Sequence, residues 1–193
     1  MRIISGKYKG KKILFPNKLI TRPLRDRVKE NIFNILQHSN KIQFEFKNST
    51  VLDLFSGSGS FGLECLSREV EKVFFFEKNP EAFSILKKNL NTLNILSANA
   101  IATNEDVSFI QNNNLFNDIK PNLIFLDPPY EVTNIEIEKI LRKIQSNNLL
   151  SKFGVIAIER DAKGAAFTWP EGFEEVKIRS YGQGAIHYGS HAQ

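Results

Sequence analysis

The chain is short of the residues that mark secreted, metal-binding or membrane proteins. One cysteine in 193 residues excludes an internal disulfide framework. That residue, Cys65, lies among Phe61, Leu63 and Leu66 in a helical pattern and reads as a core thiol. The three histidines, His38, His187 and His191, form no ligand pattern. They read as surface residues, and no metal is expected. No apolar run approaches the roughly 20 residues that cross a bilayer, and Met1 to Gly6 lacks the apolar stretch of an export signal. Together these absences point to a cytoplasmic chain. There are no internal repeats or long low-complexity segments.

Acid is nearly missing from one stretch. Residues 1–29 hold ten Lys or Arg (Arg2, Lys7, Lys9, Lys11, Lys12, Lys18, Arg22, Arg25, Arg27 and Lys29) against one carboxylate, Asp26. That segment is +9 within a chain of net charge +5, which leaves the other 164 residues at −4. The basic character belongs to an extension, and such a segment is the electrostatic footprint of a phosphate-backbone partner.

Periodicity predicts a short two-stranded unit, Arg2–Ile4 with Lys11–Phe15, around a Gly6 to Gly10 turn. A helix follows over Asp26–Gln37, carrying Val28, Ile32, Phe33, Ile35 and Leu36, and then a polar linker anchored by Phe44 and Phe46. From residue 50 strands alternate with helices. Strands are predicted at 50–54, 73–76, 100–102, 123–126 and 155–158. Helices are predicted through Leu66, after Asn79-Pro80, as a short piece at Val107–Ile110, and after a Thr133-x-x-Glu136 capping box. Residues 173–188 predict a closing hairpin across Gly182 and Gly184. The alternation implies an α/β fold, with a parallel sheet covered on both faces and ligands at the carboxyl ends of its strands.

Asp127-Pro128-Pro129-Tyr130 follows the apolar run Leu123–Leu126 and carries the most specific chemistry. A planar exocyclic amine is a weak nucleophile because its lone pair is delocalised into the ring. The Asp127 carboxylate and the Pro128 carbonyl can accept its two N–H groups and localise that pair. Tyr130 offers a stacking face, and the paired prolines fix the carbonyl rigidly.

Gly57-Ser58-Gly59-Ser60-Phe61-Gly62 matches G-x-G-x-x-G between a strand and a helix, and Glu77 ends the next strand, where a carboxylate can accept two ribose hydroxyls. The loop and Glu77 alone suit NAD and S-adenosylmethionine equally. Asp53, just before the loop, would repel a pyrophosphate but attract the ammonium and sulfonium of S-adenosylmethionine. With Asp127–Tyr130 in the same crevice, the methyl donor is favoured.

The runs Val51–Gly59, Phe76-Glu77-Lys78-Asn79 and Asp127–Tyr130 resemble class I methyltransferases acting on amino groups. Arg2-Ile3-Ile4-Ser5-Gly6 and Arg22-Pro23-x-x-Asp26-Arg27-Val28-Lys29-Glu30-x-x-Phe33-Asn34 narrow this. They resemble the bacterial family that methylates the guanine N2 of 16S ribosomal RNA, over nearly the whole chain to Arg179–Gly182. The resemblance implies a Rossmann-like, mostly parallel sheet with an antiparallel C-terminal hairpin. It places a basic hairpin-and-helix RNA-binding extension over 1–40 and the methyltransferase domain over 41–193. It implies that Asp53, Phe55, Ser56, Gly57, Gly59 and Arg22 line the donor, that Glu77 binds its ribose, and that Glu105 in Asn104-Glu105-Asp106 lies beside the adenine. Asp127, Pro128, Pro129 and Tyr130 form the acceptor site, while Lys7, Lys9, Lys11, Lys12, Arg25 and Arg27 hold RNA. The implied partner is an assembling small subunit, for a monomeric enzyme without a metal. Leu24 departs from the family's Thr after Arg-Pro, which leaves Thr21 and Asp26 to replace the lost hydroxyl.

Four other readings share parts of this pattern. An adenine-N6 DNA methyltransferase and a protein glutamine methyltransferase keep the chemistry and change the acceptor. An NAD-dependent oxidoreductase keeps the loop. A non-catalytic RNA-binding protein keeps only the fold, against which the intact Asp127–Tyr130 run argues.

Overall fold

The structure, a computed structural model, describes residues 1–16, 26–42, 44–112 and 119–192. Seven strands, β1 (Thr50–Asp53), β2 (Lys72–Phe76), β3 (Ala100–Thr103), β4 (Leu123–Leu126), β5 (Val155–Asp161), β6 (Phe173–Tyr181) and β7 (Gly184–His191), form one sheet in the order β3-β2-β1-β4-β5-β7-β6. The first five are parallel, and β7 runs antiparallel between β5 and β6. Among the described residues four helices cover it: α1 (Asp26–His38), α2 (Ser60–Ser67), α3 (Pro80–Thr92) and α4 (Asn134–Ser146).

The central strands are continuous apolar runs because helices cover both faces of the sheet. Alternate side chains go to opposite sides. Val51, Val73, Phe75, Leu123 and Phe125 join Phe33 of α1, Phe61 of α2 and Leu86 of α3. Leu52, Phe74, Phe76, Ile124 and Leu126 join Ile137, Ile140, Leu141 and Ile144 of α4. Asn79 caps α3 by accepting from the Glu81 and Ala82 N–H groups, and Thr133 and Glu136 form the capping box of α4. Chain order reverses between β1 and β4, which opens a crevice at their carboxyl ends, where Asp53 and Asp127 stand.

The N-terminal strands pair antiparallel at Arg2 and Lys12, and the Ile3, Gly10 and Ile13 N–H groups donate across the hairpin to the Lys11, Ile3 and Met1 carbonyls at 3.0, 2.9 and 3.1 Å. Others of its backbone groups bond to the helices. The Ile4 and Ser5 N–H groups donate to the Glu64 carboxylate at 2.8 and 2.9 Å, that of Tyr8 to Ser67 Oγ, and that of Leu14 to Asn89 Oδ1. Ile3 and Ile13 sit in the same core as α1, α2 and α3. The hairpin is therefore bonded both to itself and to α2 and α3.

Departures from the expected elements are small. Residues 107–112 form a 3₁₀ turn, and β5 extends three residues past the expected end because β7 pairs with it as far as Asp161. Of the histidines expected at the surface, His187 is buried and His191 is half-buried. His187 Nδ1 lies 2.8 Å from Glu175 Oε2 with its ring against Phe167, and His191 stacks on Phe173. Cys65 is buried, and burial pushes its thiol well above its usual range. No described helix is long and apolar enough to cross a membrane, and the described residues contain no cluster of metal-ligating side chains.

Candidate active site

The loop after β1 is shaped by its own backbone. Ser56 Oγ donates to the carbonyls of Asp53 (2.8 Å) and Phe76 (3.0 Å), tying β1 to β2. The Gly59 N–H closes a turn onto Ser56 O at 2.7 Å. Gly59 has φ +82°, a conformation that disfavours a side chain, and the bare Gly62 lets Phe75 approach α2. Asp53 is buried beneath this turn. Its Oδ2 accepts the Gly62 N–H at 3.1 Å, while Oδ1 has no partner among the described residues. Burial raises its carboxyl to about 7, against the Gly62 hydrogen bond and with help from the Glu77 charge.

Glu77, buried at the end of β2, accepts the Gly57 N–H on Oε2 and the Asn79 N–H on Oε1, both at 2.7 Å. Burial raises its pKa while these two hydrogen bonds oppose the shift. Each oxygen keeps a second lone pair for a ligand hydroxyl. Asn104 donates to Glu77 O at 2.7 Å and fixes the chain after β3. Asp106 accepts the Ser108 N–H at 2.8 Å and pairs with Lys78 at 3.6 Å. Partial burial raises its pKa, but the Ser108 bond and Lys78 outweigh that and hold it below the usual carboxylate range.

Asp127 stands half-buried after β4, Pro128 is buried, and Pro129 and Tyr130 are exposed, the tyrosine at 45%. Arg160 braces the segment by donating to Val132 O at 2.9 Å. Phe61 and Phe125 stack at 3.7 Å beneath the crevice. The result is a cavity of about 620 Å³, bounded by the Gly57 loop, by Asp127–Tyr130 and by the β6–β7 turn Tyr181–Gly184.

Of the expected donor residues, Asp53, Phe55, Ser56, Gly57, Glu77 and Glu105 all line this cavity, as do the four acceptor residues. Gly59 shapes the loop from behind, and Glu159 also borders the cavity. Arg22 and Arg25, with Thr21 and Leu24, lie outside the described residues. Lys7, Lys9, Lys11, Lys12 and Arg27 are exposed and do not line the cavity. Lys29, counted with the basic surface, is not part of it. It is fully buried, and its Nζ donates to Arg2 O (3.1 Å) and Ser60 Oγ (3.2 Å), with Glu64 Oε2 at 3.8 Å. The sequence reading missed Phe15, Val28, Asp106 and Gln183 as cavity residues. Only Asp106 carried a signal, since the Asp106-x-Ser108 turn orders it better than the exposed Glu105.

The chain aligns with known proteins over its full extent. The family described as "Conserved hypothetical protein 95" matches residues 1–190. The ribosomal RNA small subunit methyltransferase D of Haemophilus influenzae is 34% identical over 183 residues, covering 94% of this chain and 89% of that one. A solved structure of a candidate methyltransferase from Escherichia coli superposes with a TM-score of 0.81 at 27% identity, covering 99% and 97% of the two chains. A candidate methylase from Haemophilus influenzae gives 0.77 at 30% identity over 100% and 98%. With this match and the class I methyltransferase fold, the chain belongs to the Conserved hypothetical protein 95 family, together with the ribosomal RNA small subunit methyltransferases D.

Proposed function

We propose that the protein transfers a methyl group from S-adenosylmethionine to the exocyclic N2 amine of a guanine in 16S ribosomal RNA, with an assembling small subunit as substrate. One observation carries the reading: the Asp127–Tyr130 clamp, the unpartnered Asp53 Oδ1 and the Glu77 carboxylate share one cavity. The donor, when bound, supplies a methyl group on a positively charged sulfur. Two buried carboxylates with free acceptor capacity fit it, Asp53 for the ammonium end and Glu77 for the ribose hydroxyls. Asp106 is a better adenine-side contact than Glu105, because its position is already fixed by Ser108 and Lys78.

The acceptor side follows from geometry at β4. Asp127 and the Pro128 carbonyl take the two amine N–H groups and localise the nitrogen lone pair. Methylation leaves the amine nitrogen cationic. Asp127 stabilises that charge, and the proton leaves to it or to water. Tyr130, exposed beside it, holds the base flat. Comparing modified nucleosides of 16S ribosomal RNA from cells with and without the protein tests the assignment. Loss of one N2-methylguanosine is expected. An unchanged ribosomal profile with altered DNA adenine or protein glutamine methylation would refute it.

Asp53 gives a pH signature. Donor binding needs its ionised form, so affinity should rise by up to about tenfold per unit as pH approaches 7 from below, then level off. Calorimetry of parent and Asp53→Asn protein across pH 5.5–7.5 reads this, with a flat profile expected for the variant. The sign for stability is opposite. Between the ordinary 3.8 and about 7 the folded protein holds a proton that the unfolded chain has lost, so this group's contribution falls as pH rises through that window.

RNA affinity is assigned to the exposed lysines of the extension. Replacing Lys7, Lys9, Lys11 and Lys12 together should reduce the slope of log affinity against log salt by about one to three, through lost counterion release. Donor affinity should stay at the parental value. A variant with parental slope and RNA affinity would move the RNA surface elsewhere.

A further inference from the structure

Asn89, on α3, is 2% exposed and serves both the extension and the Gly57 loop. Its Nδ2 donates to Ser58 O at 2.9 Å and to Leu14 O at 3.0 Å, and its Oδ1 accepts the Leu14 N–H at 2.7 Å. Both donors and one acceptor position of this amide are thus used by two chain segments 44 residues apart, one from each proposed ligand surface. Ser58 lines the donor cavity. Leu14 and Asn89 line a second cavity of about 620 Å³, bordered by Arg2 and Lys12. A parallel link runs through Lys29, whose Nζ holds Arg2 O and Ser60 Oγ at once.

We propose that Asn89 is a positioning residue that couples the basic extension to the donor loop, so that donor binding orders the Leu14 segment and ordering of that segment strengthens donor binding. The inference rests on the donor assignment above. Its physical basis is that Leu14 and Ser58 share one side chain with no spare donors. A ligand that fixes the Ser58 carbonyl fixes the amide plane of Asn89, and with it both Leu14 hydrogen bonds. Linkage makes the effect reciprocal. Nucleic acid entering the Arg2–Lys12 cavity would act on the same pair.

Amide hydrogen exchange on the full chain, with and without S-adenosylhomocysteine, tests this, with calorimetry of the same ligand alongside. In the parent protein the ligand should slow exchange of the Leu14 amide by about fivefold or more, while Ser190 in β7, far along the sheet, should be unaffected. Asn89→Ala should abolish the ligand effect at Leu14 and weaken ligand binding by about two- to twelvefold, the equivalent of one lost hydrogen bond. Asn89→Asp, which keeps the acceptor for the Leu14 N–H and loses the donors to the Ser58 and Leu14 carbonyls, should keep measurable basal protection of the Leu14 amide and lose its ligand response. It also serves if the alanine variant does not fold. A merely structural Asn89 would lower protection equally with and without ligand, leaving the ratio unchanged. That result, or a parent in which bound ligand leaves Leu14 unaffected, overturns the proposal. Absence of any ligand binding to the parent would instead refute the donor assignment, and the coupling with it.

Discussion

Asp127→Ala is expected to slow methyl transfer by roughly 10²–10³ while donor affinity stays within a few-fold of the parent. The magnitude follows from removing one positioned acceptor from a nitrogen that becomes cationic, by analogy with a lost oxyanion donor of opposite sign. Asp127 reaches its place because β4 is held in register between β1 and β5, with Leu123 opposite Val51 on one side and Val155 on the other. The buried Pro128 then fixes the direction of the chain. The substitution therefore removes chemistry without removing the scaffold. Single-turnover rates with saturating donor, together with donor calorimetry, read the two effects separately. A variant with near-parental turnover would take the lone-pair role away from Asp127. Tyr130 provides the contrast: Tyr130→Phe should be mild and Tyr130→Ala severe, because stacking is worth about 1–3 kcal/mol per base and needs the ring rather than the hydroxyl. Equal damage from the two would assign the role to the hydroxyl.

The legibility of the fold in the sequence differed by element, for physical reasons. β1, β2 and β4 were plain because strands buried on both faces must be continuous apolar runs, and Asn79-Pro80 and Thr133–Glu136 announced their helices through local hydrogen bonds. The same holds for Asp53, Glu77 and Asp127–Tyr130, which stand at strand ends that the topology brings together. What could not be read was set by long-range pairing. The Arg2–Lys12 hairpin was legible from its own pattern, but the acceptors of its Ile4, Ser5, Tyr8 and Leu14 amides, Glu64, Ser67 and Asn89, lie 59 to 75 positions away. Phe15 and Val28 reach the cavity for the same reason, and no local pattern shows it. Lys29 was indistinguishable from its basic neighbours until α1 and α2 closed over it.

That closure predicts the largest stability effect in the molecule. Glu64 is fully buried on α2, accepts the Ile4 and Ser5 amides and Arg68 Nε at 3.0 Å, and faces the Lys29 ammonium at 3.8 Å. Glu64→Leu should cost about 3–5 kcal/mol in unfolding free energy, since it leaves a buried ammonium without its counter-charge and two backbone donors without acceptors. The loss should depend on pH with a definite sign. Burial already lowers the Lys29 pKa, with Glu64 opposing that shift, so removing Glu64 lowers it further. A base whose folded pKa is depressed is stabilised as pH rises, because the unfolded chain then holds the extra proton. The variant should therefore recover part of its stability on raising pH toward the ordinary lysine range, where the parent gains less. Lys29→Met with Glu64→Leu separates the two components. It removes the buried charge but not the orphaned Ile4 and Ser5 amides, so it should recover only part of the loss. Denaturant unfolding of the three proteins at two pH values measures this, and a double variant as stable as the parent would show that the amides found water and that the Lys29–Glu64 pair adds no net stability.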